Sequence, residues 1–439
     1  MSGAAPEFTC AAGVVRGWSD AGVVRATGIR YARAERYAAP VAEPPSAEVI
    51  EATTWAPGCP QAGSPLLERM FPLGFGDVAQ DEDCQRLSVT VPADVRPDEK
   101  LAVMVFLHGG SYVNGAGDAP IHDPAVLVRD ERVVVVAVTY RLGLFGYLGT
   151  LDGHPAQRLD LVEQAEALRW VRRNIAGFGG DPDNVTAFGE SAGADAIAHL
   201  MVADGAAGLF RRAILQSAPL GITRGRAAMT AAMAQEAGSI PADAPASEVV
   251  THYDRINARA RSFGLISGMP FGLQYGHAPL PAEDDLDAAW STAAPGVEVL
   301  IGTNSRESSF FVSEVPPVAR LARVPVARVL VEALVRATTW RIYARDARRF
   351  VVRHRTAGGR ATRYTISWGA PGTGLVGAHT IDLALLFPHR AVWEASPLVE
   401  GLTGAQVEAA GRPVRRVWAE FARTGRVVDE GCPYLRIHA

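Results

Sequence analysis

Residues 185–193 read VTAFGESAG and join a short β-branched and aromatic run to an alanine-rich segment typical of a helix. A G-x-S-x-G motif between a strand and a helix is typical of a nucleophile elbow, whose strained turn lifts the serine hydroxyl clear of the sheet. We expect the outer glycines to be required, because a Cβ at either position would clash with the neighbouring strand and helix. The stretch therefore predicts Ser191 as the nucleophile of a hydrolase or acyl transferase.

Apolar runs that alternate with helical stretches predict the sheet around this elbow. Near-continuous apolar runs suit strands buried on both faces, and their alternation with helices indicates parallel β-α-β units. The predicted strands are residues 101–107, 133–139, 185–188, 212–216, 297–301 and 364–368. Apolar residues at helical spacing predict a helix that ends near residue 175 and a closing helix over 414–422.

Composition bounds the class of protein. The 439 residues are 48% hydrophobic and 21% charged, which is ordinary for a globular chain. A net charge of −4 without a Lys/Arg run argues against a nucleic-acid partner. No signal peptide and no long apolar stretch is visible, so we expect a cytoplasmic protein without a membrane span. The four cysteines match no zinc module, and no metal site is predicted.

A serine hydroxyl is a poor nucleophile, so Ser191 needs a base within hydrogen-bond reach and a carboxylate that orients this base. In chains with such an elbow, the order along the sequence is serine, acid, histidine. His379 lies late in the chain in a loop-like segment, and it is either this base or an ordinary histidine. His354 and His389 are rivals, although the arginines on both sides of His354 disfavour the charged imidazole that a base must form.

Glu307 is the candidate acid. It follows the predicted strand 297–301, and catalytic groups gather beyond the carboxyl ends of strands in α/β sheets. An isolated glutamate is more often simply solvated, so this residue alone leaves both interpretations open.

The segment His-Gly-Gly-Ser at 108–111 follows the predicted strand 101–107 and matches the type that supplies backbone N–H donors to an oxyanion. With the N–H that follows the nucleophile, it nominates Gly110, Ser111 and Ala192 as the oxyanion hole. The glycine pair also suits a plain turn, but the elbow downstream favours the oxyanion hole.

Together these motifs resemble those of the type-B carboxylesterase family, which includes the cholinesterases, over nearly the whole chain. The resemblance is strongest over 168–193, where the elbow and the Phe-Gly-Gly-Asp-Pro before it stand as the family has them. Other similar segments are GIRYA (28–32), CPQ (59–61), EDC (82–84), TYRLG (139–143), LQS (215–217) and FARTG (421–425).

The resemblance implies an α/β-hydrolase fold, with a central, mostly parallel sheet flanked by helices in one domain over residues 1–439. It implies Ser191 as nucleophile, Glu307 as acid and His379 as base, the last two in segments similar to the family's G-x-N-x-x-E and H-x-x-E. Ser217 stands where the family has a serine that supports the triad. A buried serine bonded to the backbone at a strand end fits that position equally.

The chain departs from the family near the predicted site. Ser111 replaces the third glycine of the family's G-G-G, which keeps the backbone donor. Arg306 precedes Glu307 where the family usually has Asp, and an inward-turned arginine would lower the pKa of that carboxyl. Cys59 and Cys84 occupy positions that the family bridges, but in a cytoplasmic protein the disulfide need not form, so both states stay open.

The parts of the chain that would roof the site are short. The ranges 220–290 and 310–360 are the expected roof insertions, and their shortness predicts an open or differently shaped pocket. Residues 60–83 contain no tryptophan, so the aromatic platform with which the family binds choline is missing. This argues against a quaternary ammonium substrate.

These features predict a serine carboxylic-ester hydrolase that forms an acyl-enzyme with a small or medium apolar ester and requires no metal or organic cofactor. Candidates for an apolar pocket wall, each with plain core packing as its alternative, are Tyr112, Phe145, Met269, Phe271 and Tyr275. One alternative function is an acyl transferase, lactonase or cyclase with the same triad. A non-catalytic interaction protein is another, although such relatives usually lose a triad residue. The oligomeric state stays open.

Overall fold

A ten-stranded sheet with helices on both faces dominates the structure, a computed structural model that describes residues 5–75, 78–96, 98–147 and 159–438. The strands among these residues, in chain order, are β1 (Glu7–Cys10), β2 (Gly13–Arg16), β3 (Trp18–Asp20), β4 (Val23–Arg30), β5 (Ala32–Arg33), β6 (Val41–Ala42), β7 (Ile50–Glu51), β8 (Arg86–Pro92), β9 (Leu101–Leu107), β10 (Val134–Val138), β11 (Gly180–Glu190), β12 (Arg212–Gln216), β13 (Glu298–Asn304), β14 (Ala361–Ile366) and β15 (Leu435–His438).

The helices surround this sheet. In chain order they are α1 (Pro65–Met70), α2 (Ala125–Glu131), α3 (Gly143–Gly146), α4 (Leu159–Asn174), α5 (Ala192–Leu200), α6 (Ala227–Ala237), α7 (Ala246–Thr251), α8 (Tyr253–Ala260), α9 (Leu286–Ala293), α10 (Pro316–Ala322), α11 (Arg328–Thr339), α12 (Arg345–Thr356), α13 (Ile381–Leu386), α14 (Arg390–Glu394) and α15 (Gly404–Thr424). A π-helical turn, Trp340–Ala344, joins α11 to α12, and 3₁₀ segments include Leu220–Ile222 and Glu307–Glu314.

The centre of the sheet is parallel. Strands follow one another in the order β10-β9-β11-β12-β13-β14, and each neighbouring pair is parallel. These are the six strands predicted from the apolar runs. At the edges, β8, β4 and β3 on one side and β15 on the other pair antiparallel with their neighbours. The mostly parallel sheet flanked by helices is therefore confirmed.

Two hydrophobic cores lie on the two faces of this sheet. Along β9, alternate side chains enter different cores: Val103 and Val105 join one, while Met104 and Phe106 join the other. A strand buried on both faces needs a nearly continuous apolar run, which is why the composition of this run predicted it.

The two predicted helices are present. Helix α4 ends at Asn174, and α15 extends well beyond the predicted 414–422 at its amino end. A capping box at Thr403 begins α15, because its side chain accepts a hydrogen bond from the N–H of Gln406 and the Gln406 side chain returns one to the Thr403 N–H. The indole N–H of Trp418 in α15 donates to Gln216 Oε1 at 3.0 Å, which ties this helix to the end of β12.

Both ranges predicted as roof insertions contain helices. Helices α6 to α9 lie largely within 220–290, and α10 to α12 lie within 310–360. Their assignment as insertions into a single domain stays a prediction. Within the described parts of the chain, no helix is both long and apolar enough to cross a membrane.

The carboxyl ends of four central strands meet at one edge of the sheet. In the register of the strands, Gly189 pairs with Leu107, Glu190 with Gln216, and Gln216 with Gly302. The segments that follow β9, β11, β12 and β13 therefore emerge side by side, and each contains a residue predicted for the site.

Candidate active site

Ser191 occupies a sharp turn between β11 and α5. Its φ of 56° and ψ of −122° are a conformation that non-glycine residues rarely adopt. A Cβ added to Gly189 would lie 2.6 Å from the carbonyl oxygen of Leu107, and one on Gly193 would lie 2.0 Å from the same oxygen. Both positions therefore require glycine for β9, β11 and α5 to pack this closely, as the motif predicted.

The structure brings together the three residues of the predicted triad. The Oγ of Ser191 lies 2.9 Å from Nε2 of His379, and Nδ1 of His379 lies 2.6 Å from Oε2 of Glu307. All three side chains are buried. With its proton on Nδ1 beside the carboxylate, the imidazole presents a free electron pair on Nε2 to the serine hydroxyl.

Hydrogen bonds from two neighbouring strand ends hold the carboxylate of Glu307. Ser217, directly after β12, donates from Oγ to Glu307 Oε1 at 2.6 Å, and the backbone N–H of Asn304 donates to the same oxygen. The Asn304 side chain in turn donates to Oδ1 of Asp382 at 2.9 Å. Asp382 follows His379 by three residues. The acid and the histidine loop are thus joined by a buried network at the edge of the sheet.

The side chain of Arg306 turns away from Glu307. It pairs with Glu332 on α11 at 2.6 Å and donates to the carbonyl oxygen of Gly374. Arg306 is therefore not turned inward and does not lower the pKa of Glu307. Burial instead raises the pKa of Glu307, and the neighbouring His379 opposes this shift.

The two rival histidines lie elsewhere. His354 belongs to α12, and its Nε2 bonds to the carbonyl oxygen of Val297 at 2.8 Å. His389 precedes α14 and lines a separate cavity that also contains Asp118. Among the three candidates, His379 is the histidine placed against Ser191.

A second carboxyl group, that of Glu190, faces the same imidazole. Its Oε1 lies 3.3 Å from Nε2 of His379, and this buried oxygen has no hydrogen-bond partner among the described residues. Burial raises the pKa of Glu190 to about 8, against the opposing effect of His379. Burial also lowers the pKa of His379, but the charges of Glu190 and Glu307 outweigh it and raise this pKa to about 9.

The loop after β9 lies against the elbow with strained backbone. A Cβ on Gly109 would lie 3.1 Å from the Cβ of Ser191, and Gly110 and Ser111 have φ values of 105° and 55°. Within the described residues, no backbone acceptor pairs with the N–H of Gly110 or Ser111. Ala192 is the first residue of α5, so its N–H has no partner inside the helix. All three nominated N–H groups can therefore serve a ligand.

Three aromatic side chains that the sequence did not nominate surround His379. The ring centroids of Tyr343, Phe311 and Phe310 lie 5.2, 5.5 and 6.1 Å from that of the imidazole. Tyr343 comes from the π-helical turn, and the two phenylalanines come from the 3₁₀ segment that begins at Glu307. The proximity of Phe310 and Phe311 to Glu307 in sequence was a usable signal, whereas nothing in the sequence marks the π turn.

Four of the nominated wall residues are buried in one core, and the fifth, Tyr275, is partly buried and packs against it. Tyr112 donates from its hydroxyl to Asp195 Oδ2 at 2.6 Å, and its ring packs against that of Tyr147. Phe145 lies under the guanidinium of Arg36. Phe271 packs on Tyr253, Tyr275 bonds with His199, and Met269 is buried in the same core. The rings that contact His379 are those of Phe310, Phe311 and Tyr343. A role of the five nominated residues in the pocket wall stays a prediction.

Cys59 and Cys84 are adjacent, buried and free. The hydrogen bond with Cys59, together with burial, raises the pKa of the Cys84 thiol. Cys59 Sγ also accepts a hydrogen bond from the backbone N–H of Leu142 at 3.2 Å. The disulfide that the resemblance left open is therefore not formed in the structure. Nowhere in the described residues do three His, Cys, Asp or Glu side chains gather to hold a metal ion.

Comparisons with known proteins identify the family of the chain. The sequence model described as the carboxylesterase family matches residues 4–337. A protein of Rhodococcus erythropolis named as a probable N-octanoylanthranilate hydrolase is 35% identical over 436 residues, which cover 98% of this chain and 95% of the relative. Phenmedipham hydrolase of Pseudarthrobacter oxydans is 30% identical, with 88% of this chain and 82% of the relative covered.

Solved structures resemble the chain over nearly its whole length. A thermophilic PNB esterase superimposes with a TM-score of 0.78 and 27% identity, covering 98% of this chain and 97% of its own. A carboxylesterase of Geobacillus stearothermophilus gives a TM-score of 0.76 and 26% identity, with the same shares covered.

Proposed function

Because this chain belongs to the carboxylesterase family and is a serine hydrolase of carboxylic esters, we propose that Ser191, His379 and Glu307 are its catalytic triad. The observation that carries this proposal is the continuous chain of contacts from Ser191 Oγ to His379 Nε2 and from His379 Nδ1 to Glu307 Oε2, at 2.9 and 2.6 Å. A serine, a base and an orienting acid at hydrogen-bond distances are what nucleophilic catalysis requires.

In the acylation step, Ser191 Oγ attacks the ester carbonyl carbon while His379 Nε2 takes the hydroxyl proton. The Glu307 carboxylate accepts a hydrogen bond from the Nδ1–H of His379. It thereby stabilises the imidazolium that forms. The backbone N–H groups of Gly110, Ser111 and Ala192 stabilise the negative charge on the former carbonyl oxygen.

The leaving alcohol then takes the proton from His379 Nε2 as the bond between the acyl carbon and the alcohol oxygen breaks. Water attacks the acyl-enzyme and gives its proton to the same nitrogen, which finally returns it to Ser191 Oγ. The products are a carboxylic acid and an alcohol. None of these steps needs a metal ion or an organic cofactor.

Ser217 acts as a positioning residue in this scheme. Its hydroxyl donates to the Glu307 oxygen that does not face His379, so it fixes the carboxylate orientation. A hydrogen bond to an ionised carboxylate is stronger than one between neutral groups. This side-chain contact favours the positioning role over the alternative, in which the Ser217 hydroxyl bonds only to the backbone.

The substrate is a small-molecule ester, and we assign it a small or medium apolar group. This is supported by the rings of Phe310, Phe311 and Tyr343 around His379, since aromatic walls favour apolar ligands. In this view, the helices in 310–360 form a roof over the site, because Tyr343 reaches His379 from between α11 and α12.

Hydrolysis of an N-acyl amide is a second candidate reaction. It is favoured by the relative named as an N-octanoylanthranilate hydrolase, which matches 98% of this chain. Initial rates on p-nitrophenyl esters of increasing acyl length, compared with the rate on N-octanoylanthranilate, separate the two substrate classes. Product analysis in the presence of competing alcohols and amines tests whether water is the acceptor, as opposed to transfer or cyclisation.

A cytoplasmic location is part of the proposal. The free thiols of the four cysteines support it, because reducing compartments keep thiols in this state. Fractionation of the native producer, followed by detection of the protein in the cytosolic fraction, is the test.

Labelling with a fluorophosphonate tests the triad without knowledge of the natural substrate. We expect one label per chain on the peptide that carries Ser191, and no label on the Ser191→Ala variant. Hydrolysis of p-nitrophenyl acetate by that variant should fall by about a thousandfold or more. Ser309→Ala is a matched control, since this buried serine lies near Glu307 and its Oγ has no hydrogen-bond partner among the described residues. Equal hydrolysis by Ser191→Ala and the parent would refute the triad.

A further inference from the structure

A second cavity, of about 500 Å³, lies between the segment Leu220–Ile222, helix α9, and the run formed by the π turn and α12. Charged and aromatic side chains form most of its wall. Its charged residues are five arginines and two aspartates. None of the proposed triad residues lines it, so this cavity is distinct from the site described above.

Four of its arginines recur at four-residue intervals along one helical run: Arg341, Arg345, Arg349 and Arg353. Residues four apart lie on the same face of a helix, where like charges destabilise it by about 0.2–0.5 kcal/mol per pair. The four arginines form three such pairs in succession. Such a conflict between local stability and sequence is expected where a surface has a binding role.

The carboxylates of the cavity are too few to neutralise its arginines. Asp287 accepts from both Arg224 and Arg353, at 2.7 and 2.6 Å. Asp346 is likewise shared between Arg345 and Arg349, at 2.7 and 3.4 Å.

The fifth arginine of the lining has no carboxylate partner there. Arg341 donates to the carbonyl oxygen of Gly221 at 2.6 Å, a neutral acceptor. Five guanidinium groups therefore face two carboxylates, an excess of three positive charges in one concave site. A cavity with a net positive charge concentrates anions.

Two of these arginines lie against buried aromatic rings of the lining. Trp290 and Phe350 are buried, and the guanidinium of Arg353 lies 4.4 Å from the Trp290 ring centroid, with that of Arg224 at 5.6 Å. Stacking on an aromatic face fixes the guanidinium plane and leaves its N–H edge available to an oxyanion. These contacts reduce the entropy that the side chains would lose on binding a ligand.

We propose that this arginine pocket binds a small, multiply charged oxyanion, either a phosphate compound or a polycarboxylate. Planar guanidinium groups match both chemistries through paired N–H···O hydrogen bonds. The excess of three positive charges fits a ligand with two or more negative charges. The volume of the cavity admits a molecule of that size.

Isothermal titration calorimetry with pyrophosphate and, separately, citrate tests the proposal, with sodium chloride holding the ionic strength constant. We expect one site per chain for at least one probe, and the preferred probe distinguishes phosphate from carboxylate chemistry. Arg345→Gln/Arg349→Gln should weaken binding by about tenfold or more. The matched control is Arg390→Gln/Arg416→Gln, which removes two arginines that each pair with one glutamate elsewhere on the surface.

Equal affinity in the pocket and control variants, or binding of neither probe to the parent, would overturn the proposal. If the double variant fails to fold, the exposed single variant Arg349→Gln replaces it. A final arm uses enzyme blocked at Ser191 by a fluorophosphonate. Binding should persist there, and its loss would assign the anion to the active site. Thermal shifts alone do not decide the matter, because multivalent anions stabilise proteins generally.

Discussion

Glu190 Oε1 and His379 Nε2 lie 3.3 Å apart, and this is the imidazole nitrogen that also faces Ser191 Oγ at 2.9 Å. In the proposed mechanism, the proton that moves from Ser191 to Nε2 during acylation therefore lies close to a buried carboxyl group. Because the chain places Glu190 directly before the nucleophile, the elbow that presents the serine also presents this second acid. The consequence is electrostatic: a negative charge at Glu190 stabilises the imidazolium and raises the pKa of His379.

The first prediction concerns the pH dependence of activity. The base must be neutral, so a raised pKa of His379 moves the acidic limb of the kcat/KM profile to higher pH. Glu190→Gln removes the charge at constant size, and we expect this limb to shift downward by about one pH unit. Glu248→Gln, at an exposed glutamate, is the control. An unchanged limb in Glu190→Gln would show that Glu190 stays neutral over this range and does not tune the base.

The second prediction tests Ser217 as a positioning residue. Ser217→Ala removes the 2.6 Å hydrogen bond to Glu307. Loss of a hydrogen bond to a charged group costs about 1.5–3 kcal/mol, so kcat should fall by about tenfold or more while KM changes little. Steady-state kinetics on p-nitrophenyl acetate measure both constants. Ser309→Ala, which loses a serine without such a bond, should leave kcat near the parent value. A rise of KM alone would contradict the positioning role.

The third prediction concerns chain-length preference. Phe311 is partly exposed and its ring lies 5.5 Å from that of His379, so it is placed to contact the bound ester. Phe311→Ala should lower kcat/KM for p-nitrophenyl hexanoate by about tenfold, with a smaller effect on the acetate. Phe263→Ala, at a partly buried phenylalanine in a different segment, is the control. Equal losses on both esters would argue against a substrate contact.

The fourth prediction concerns stability. Arg141 and Glu163 form a fully buried ion pair, in which both the side chain and the backbone N–H of Arg141 donate to the carboxylate. Glu163→Gln leaves a buried positive charge without its counter-ion, which should cost about 3–5 kcal/mol and lower the urea midpoint clearly. Glu51→Gln, at the exposed pair with Arg16, should change the midpoint little. Similar midpoints for the two variants would contradict this reasoning.

The buried parallel strands were predictable because their apolar runs are nearly continuous. Strands β9 and β12 have the predicted bounds, whereas β11 begins at Gly180, in a polar stretch that no apolar run marks. The antiparallel strand β8 was not predicted, although Leu87, Val89 and Val91 alternate with polar residues as a half-buried strand requires.

The elbow motif and chain order nominated Ser191, Glu307 and His379, and the resemblance favoured them over the alternatives; the structure brings the three together, and their catalytic role stays a proposal. The direction of the Arg306 side chain could not be predicted, because its partner Glu332 lies on a helix further along the chain. Tyr343 was missed for a similar reason. Its contact with His379 depends on the path of α11 and α12 and on a π turn without a sequence signature.

That turn constrains the length of the chain as well as its composition. A π turn is a one-residue expansion of an α-helix, and here it lies inside the continuous helical run from Arg328 to Thr356. Deleting Ile342 or Ala344 would restore a plain α-helix, remove the expanded turn in which Tyr343 lies, and shorten the spacing between Arg341 and Arg345 from four residues to three. A single-codon deletion there would therefore alter both the contact of Tyr343 with His379 and one end of the arginine pocket, which point substitutions affect separately.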